Sequence, residues 1–411
     1  MINRFAFLVI NIFVFFSTDA YAQKDSPKLG LDSHFINQQL QAASKQIMLL
    51  DQATPHDKFP KSFANNQHEF SNSSWWCSGF FPGTLLLLAE ETNDQTLFEH
   101  ALNKLSYLEK EQFNKGTHDL GFMLYCSFGN ALRLTQDSAK YVPILVNGAR
   151  SLASRYNANT KTIRSWDHNT WQFPVIIDNM MNLEFLLEVA KFSSNPALAE
   201  VAVAHANTTL GNHFRADHSS YHVIDYDPKT GQVIAKQTHQ GADDSSAWAR
   251  GQAWGLYGFV MMFRETQDSV YLQQAKRIAA FMLDHPNMPK DLIPYWDYDF
   301  DKFTNKSDSV SNNLRDASAA AILASGLLEL SQYVSDKESI DYLTSAELII
   351  KTLSSEQYFA KLGDNGGFLL KHSVGAFPLK SEIDVPLSYA DYYYVEALTR
   401  YRRLLDGKPM I

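Results

Sequence analysis

Five short turns of one kind punctuate this chain: Glu91-Thr92-Asn93-Asp94, Leu134-Thr135-Gln136-Asp137, Phe192-Ser193-Ser194-Asn195, Glu265-Thr266-Gln267-Asp268 and Tyr333-Val334-Ser335-Asp336. Each follows an apolar run and precedes a second, amphipathic one, such as the stretch from Tyr271 to Phe281, with apolar residues at three-to-four spacing. The repeating unit is a helical hairpin, and successive turns lie about 43 to 73 residues apart. An N-terminal helix over roughly 33–50 and a C-terminal one over roughly 388–405 bring the number to about twelve helices, or six pairs. The pattern predicts an all-α fold, an (α/α)6 toroid of six helical hairpins.

The two helix sets differ in character. The first helix of each hairpin is apolar or small on nearly all sides, as in the run from Ala317 to Leu327, which places it in the inner ring. Extra length accumulates before these inner helices, at 157–175, 214–247, 285–314 and 355–387. Long inserts on one rim are how such a ring builds a cleft, so the starts of the inner helices are expected to form the pocket. Within that rim, His222 to Gln240 reads as a small β-hairpin, with Asp227-Pro228-Lys229-Thr230-Gly231 as the turn between β-prone runs.

The first 22 residues predict export. Arg4 precedes an apolar run from Phe5 to Phe16, and Ala20-Tyr21-Ala22 is a small-x-small cleavage site before Gln23. The run is too short to span a bilayer, which needs roughly 20 residues, and no later segment reaches that length without a charge. The mature chain, 23–411, is expected to be one catalytic domain in the periplasm or outside the cell, with no membrane insertion. No Pro/Ser/Gly-rich linker divides it, and a hydrophobic fraction of 45% is ample for one large core. Cys77 and Cys126 are the only cysteines, which rules out a disulfide framework and predicts two buried thiols. A formal charge of −9 disfavours nucleic acid as a partner. The sequence carries no signal of oligomeric state.

Polar side chains cluster where apolar helices begin. Thr117-His118-Asp119-Leu120-Gly121-Phe122, the stretch Ile176 to Asn182 and the stretch Ser246 to Trp254 each set charged or polar groups at a helix mouth. Two aspartates, an arginine and tryptophans from distant segments supply proton donors, an anion anchor and stacking platforms, the needs of a sugar-cleaving site. Asp119, Asp178, Asp316 and Asp391 each have the ordinary reading of a helix N-cap. Asp178 stands apart because Ile177, Met180, Met181 and Leu183 surround it, and desolvation raises a carboxyl's pKa above its reference of about 3.9. Asp119 precedes Gly121, where the missing side chain lets another group approach closely. Asp297, Asp299 and Asp301 alternate like a calcium loop but lack its glycine and terminal glutamate. His118, His168, His222 and His239 show no zinc-like pairing at helical spacing. No metal or cofactor is expected.

Taken together these segments resemble the unsaturated glucuronyl hydrolases, glycoside hydrolase family 88, over nearly the whole mature chain. The resemblance rests on Trp76-x-x-Gly79-Phe80-x-x-Gly83, His118-Asp119-Leu120-Gly121-Phe122, Ile177-Asp178-x-x-x-Asn182, Asp243-Asp244-Ser245-x-x-Trp248-x-Arg250-Gly251-Gln252-Ala253-Trp254 and Asp384-x-Pro386-x-x-Tyr389-x-Asp391-Tyr392, in the family's order and at similar spacing. It implies an (α/α)6 barrel without a metal, acting on the Δ4,5-unsaturated uronic acids that polysaccharide lyases leave at non-reducing ends. By the same resemblance Asp178 is the general acid/base and Asp119 the second essential aspartate. His222, Gln240, Arg250 and Trp254 fall on substrate-contacting positions, with Trp76 and His118 beside them.

The chemistry so implied is hydration of a vinyl ether, in which one carboxyl delivers a proton to C4 and then helps water add at C5. One departure bears on substrate. Some relatives that act on sulfated glycosaminoglycan fragments carry Ser-x-x-Ser-x-Lys late in the chain, whereas Ser373-Val374-Gly375-Ala376-Phe377-Pro378 stands here, without the second serine and the lysine. Two other readings share the fold: an unsaturated rhamnogalacturonyl hydrolase, and a non-catalytic oligosaccharide-binding protein.

Overall fold

The computed structural model describes residues 29–167, 170–303 and 313–410. Residues 1–22, His168 and Asp308 therefore lie outside the described residues. Among those described, six outer helices alternate with six inner ones. The outer set is α1 (Ser33–Ala53), α3 (Gln95–Leu108), α5 (Ser138–Ala153), α7 (Pro196–Asn212), α9 (Ser269–Asp284) and α12 (Asp336–Leu353). The inner set is α2 (Phe80–Thr92), α4 (Asn130–Thr135), α6 (Leu183–Ser193), α8 (Ala249–Thr266), α11 (Ala317–Leu330) and α13 (Ser388–Leu405), with a single short turn, α10 (Phe300–Phe303), in a rim insert. Two inner helices begin in tighter or wider winding: α4 continues a π-helical stretch, Gly121–Gly129, and α6 a 3₁₀ stretch, Ile177–Asn182.

The recurring turn has a physical basis in hydrogen bonding. An inner helix ends with its last carbonyls unpaired. The Thr or Ser of the turn donates its hydroxyl back to the carbonyl four residues earlier: Thr92 to Leu88, Thr135 to Ala131, Ser193 to Val189 and Thr266 to Met262. The next residue, Asn93, Gln136, Ser194 or Gln267, takes the left-handed conformation and gives its N–H to another free carbonyl. The aspartate that follows caps the outer helix, as Asp94 does for Thr96 and Leu97, Asp137 for Lys140 and Asp268 for Val270. The fifth turn reaches the same end with Ser335 and Glu338 in a reciprocal capping box.

The inner helices pack side by side in the order α2, α4 with its π-helical start, α6 with its 3₁₀ start, α8, α11, α13, and α13 returns against α2 to close the ring. Every residue of α11 is buried, as the near-uniform apolar and small character of that run requires. Further along the inner helices charges pair among themselves. Arg264 of α8 holds Glu184 of α6 and Glu329 of α11, and Arg400 of α13 donates to Glu329 at 2.9 Å and to the Tyr257 hydroxyl at 2.6 Å.

The rim carries more β structure than the one hairpin the sequence suggested. That hairpin exists as β6 (Val223–Tyr226) and β7 (Val233–Gln237), turned by Asp227, whose carboxylate accepts the Lys229 and Thr230 N–H groups. A third strand, β5 (Pro174–Ile176), joins it by pairing with β6. Three further two-stranded sheets are β1 (Phe59–Ala64) with β2 (Gln67–Ser71), β3 (Tyr156–Asn157) with β4 (Thr162–Ile163), and β8 (Ser373–Ala376) with β9 (Ser381–Val385). The β1–β2 turn uses Asn65 and Asn66, both at positive φ, a conformation asparagine tolerates better than most residues.

Candidate active site

All eight residues named from the sequence lie before or within the first turns of inner helices or beside the rim strands above them. Asp119 and His118 precede the π-helical stretch, Asp178 stands in the 3₁₀ stretch before α6, Arg250 and Trp254 open α8, and Trp76 precedes α2. His222 and Gln240 flank the β6–β7 hairpin. Two close approaches knit the mouths together. A Cβ on Gly121 would sit 2.7 Å from both Cα and Oδ1 of Asn182, and Asn182 Oδ1 in turn accepts the Phe122 N–H at 3.0 Å. A Cβ on Gly79 would fall 2.2 Å from the carbonyl oxygens of Phe122 and Met123, so only glycine lets α2 start there.

Asp178 caps no helix. It is buried among apolar neighbours, and burial pushes its carboxyl up from 3.8 to about 7, with the Asp119 charge adding to the rise and Arg250 and the Trp254 indole opposing it. Its Oδ1 has no hydrogen-bond partner among the described residues. A carboxyl that holds its proton near neutrality and has an uncommitted oxygen is suited to give and retake a proton. Asp119 is also buried, but one oxygen accepts the Thr117 hydroxyl at 2.6 Å and the other lies 3.3 Å from His118 Nε2. Burial lowers the pKa of His118, so that ring is neutral.

His222 Nδ1 accepts the backbone N–H groups of His239 and Gln240 at 3.0 and 3.2 Å. Those bonds place the proton on Nε2, which faces Asp178 Oδ1 at 3.8 Å. Burial, with His239 and Arg250 nearby, holds His222 well below its usual pKa, so it is a neutral N–H donor and not a base. The Gln240 side-chain amide donates to the Gly375 carbonyl at 3.1 Å. Trp254 is fully buried, tilted against Phe122 and edge-on to Tyr393, with its indole N–H turned to the Asp178 carboxyl. Trp76 remains half-buried, packed on Tyr389 at 4.8 Å.

Arg250 departs most from a simple substrate anchor. It is wholly buried between the rings of Trp248 and Tyr389, and its terminal nitrogens already donate to Asp316 and to the Val374 and Gly375 carbonyls. Asp316 itself fits the cap reading, accepting the Ser318 and Ala319 N–H groups. Asp391 does not: it sits inside α13 and accepts the N–H groups of Leu369 and Leu370, fastening a rim loop to the inner ring. Asp297 and Asp299 are likewise occupied within the rim, the first by Ala242 N–H and the Ser246 hydroxyl, the second by Lys302. Among the described residues no cluster of His, Cys, Asp and Glu has metal-holding geometry. Cys77 and Cys126 are free thiols, the first buried as expected and the second only half-buried. Sequence reasoning missed the Tyr389 and Ser373 hydroxyls, which are buried and unpartnered among the described residues, and Asp316 as the charge partner of Arg250. A separate cavity of about 290 Å³ lies further along the inner helices, lined by Tyr125, Glu184, Tyr257, Glu396 and Arg400, and touches none of the eight.

Two carboxyls, one of them able to carry a proton near neutrality, neutral imidazoles and the half-buried Trp76 indole gathered at one mouth of an α/α toroid define a sugar-active hydrolase. The chain belongs to Glycosyl Hydrolase Family 88, whose profile matches residues 50–404. It is 46% identical over 332 residues to an unsaturated glucuronyl hydrolase of Formosa agariphila, covering 80% of each chain. The crystal structure of an unsaturated glucuronyl hydrolase specific for heparin superposes with a TM-score of 0.86 at 46% identity, covering 91% of this chain and 99% of that one. A mutant unsaturated glucuronyl hydrolase from Streptococcus agalactiae, complexed with dGlcA-GalNAc6S, matches with a TM-score of 0.77 at 27% identity, over 91% and 93% of the two chains. The protein is a glycosidase of this family.

Proposed function

We propose that the protein removes a Δ4,5-unsaturated uronic acid from the non-reducing end of lyase-generated oligosaccharides by hydrating the vinyl ether, with Asp178 as the acid and then the base. The observation that carries this reading is the buried Asp178 carboxyl, protonated up to about pH 7 and open at Oδ1. Its proton passes to C4, the ring oxygen shares the positive charge that develops at C5, and water adds there as its proton returns to Asp178. The resulting hemiketal opens by breaking the bond between C5 and the ring oxygen, and the freed hemiacetal at C1 expels the aglycone. Asp119 orients ring hydroxyls and keeps Asp178 protonated through its charge. His222, fixed as an Nε2–H donor, steadies carboxylate oxygen on Asp178 or on the substrate. Trp76 supplies a stacking surface.

The test is a panel of lyase-generated disaccharides from glycosaminoglycans, ulvan, gellan or xanthan, and pectin, followed by loss of the conjugated enol ultraviolet absorbance. The 46% likeness to a heparin-specific enzyme supports placing unsaturated heparin disaccharides first. Preferred turnover of the pectin product would instead move the assignment to a rhamnogalacturonyl hydrolase. Export of the mature chain from Gln23, as one domain, belongs to the same proposal and rests on the Arg4 to Ala22 pattern. Mass spectrometry of the N-terminus after periplasmic release checks it.

A further inference from the structure

We propose that Asp316 is a positioning residue for the reaction, acting through Arg250 to hold the strand Ser373–Ala376 as a fixed wall of the site. The carboxylate splits its two oxygens between two tasks. Oδ1 accepts the Ser318 and Ala319 N–H groups and the Ser318 hydroxyl, which caps α11, while Oδ2 accepts Arg250 Nη1 at 3.0 Å. Arg250 passes that fixation on. Nη1 also donates to the Val374 carbonyl at 2.5 Å and Nη2 to the Gly375 carbonyl at 2.6 Å.

Three facts make this arrangement more than a cap. A guanidinium buried with carbonyls alone would be an uncompensated charge, and Asp316 is the carboxylate paired with it. The β8–β9 hairpin has only two strands, and an isolated two-stranded hairpin is marginally stable, so its seat depends on outside bonds. Those bonds converge on one peptide: Gly375 O accepts both Arg250 and Gln240, while the Ser373 hydroxyl nearby stays buried without a partner among the described residues. That the strand walls a reaction site rests on the hydrolase reading; the bonds that hold it do not.

Asparagine separates the two tasks, because it keeps one acceptor for the N-cap but turns an NH2 toward Arg250, which needs an acceptor. Asp316→Asn, Arg250→Gln and the double variant are purified and compared with the parent on one unsaturated disaccharide. The expected result for Asp316→Asn is a KM raised about 10- to 100-fold with kcat within about threefold, since Asp178 and Asp119 are untouched. The double variant should be no worse than Arg250→Gln alone, because the two residues act in series. Ser318→Ala, which weakens the cap and leaves the Arg250 bond, should lower Tm with unchanged KM. Parent-like kinetics in folded Asp316→Asn, or losses that multiply in the double variant, overturn the proposal. Should Asp316→Asn not fold, Asp316→Ser supplies a capping hydroxyl instead, and failure of both while Ser318→Ala folds would assign the carboxylate to folding alone. An inactive parent enzyme would count against the hydrolase reading and be visible as such.

Discussion

His222 faces Asp178 across 3.8 Å with the one ring nitrogen left to it, because two backbone N–H groups hold the other. Burial keeps the imidazole neutral, with its remaining N–H turned toward Asp178. His222→Gln, which retains an N–H donor, is expected to keep more activity than His222→Ala, and neither should abolish a titration limb of the rate profile. A pH–rate comparison of the three proteins decides whether His222 is a donor or a titrating base.

Asp178→Asn should abolish turnover and spare the fold, since an amide keeps the shape but transfers no proton. The sign of its stability effect follows from the raised pKa. The unfolded chain ionises near 3.8 and the folded one near 7, so the folded state binds the extra proton between them. Stability is lost as pH rises through that window and the full cost is present above about pH 7. The asparagine variant should accordingly match the parent near pH 4 and melt higher at pH 8. Equal turnover by the folded variant would remove Asp178 from acid/base duty.

The same group predicts the alkaline limb of kcat/KM, with an apparent pKa of about 7 in the free enzyme. Asp119 raises that value and Arg250 lowers it. Residual activity in Asp119→Asn should therefore show its limb moved to lower pH, and Arg250→Gln to higher pH. Limbs that stay in place in both variants would mean a different group sets the profile.

Gly121→Ala tests the contact between two inner-helix mouths. Its Cβ would lie 2.7 Å from the backbone of Asn182, and overpacking of this kind costs about 1–3 kcal/mol. Thermal unfolding should report the loss, and activity should fall further than stability because Asn182 stands four residues after Asp178. An unaltered Tm would show that the two mouths can part freely.

Much of this was legible from sequence where the determining contacts are local. The Thr/Ser-x-Asp turns could be read because the hydroxyl, the left-handed residue and the capping carboxylate all bond within four residues of one another. The desolvation of Asp178 was legible for the same reason, from Ile177, Met180 and Met181 beside it. Arg250 was visible as a candidate but its task was not, since its partners lie 66, 124 and 125 residues away. Nor could the sequence distinguish Asp391, which fastens Leu369 and Leu370, from a helix cap. The additional rim strands escaped notice because runs of two to six residues have too few side chains to set a period-two pattern.

The route of water separates this chemistry from that of ordinary glycosidases. Those enzymes set two carboxyls about the anomeric carbon and either retain or invert its configuration. In the proposed route proton transfer to C4 and water attack at C5 come first, so the bond to the aglycone breaks only after the ring opens. Oxygen from labelled water should enter at C5, and a saturated uronide of the same linkage should be inert. The anomeric configuration should affect fit and not chemistry. Turnover in oxygen-18 water, with mass spectrometry of early products and a control for exchange of the opened carbonyl, reads the position of the label. Label confined to the anomeric carbon, or efficient cleavage of saturated glucuronides, would sink the hydration route and return Asp178 and Asp119 to the roles of a conventional carboxyl pair.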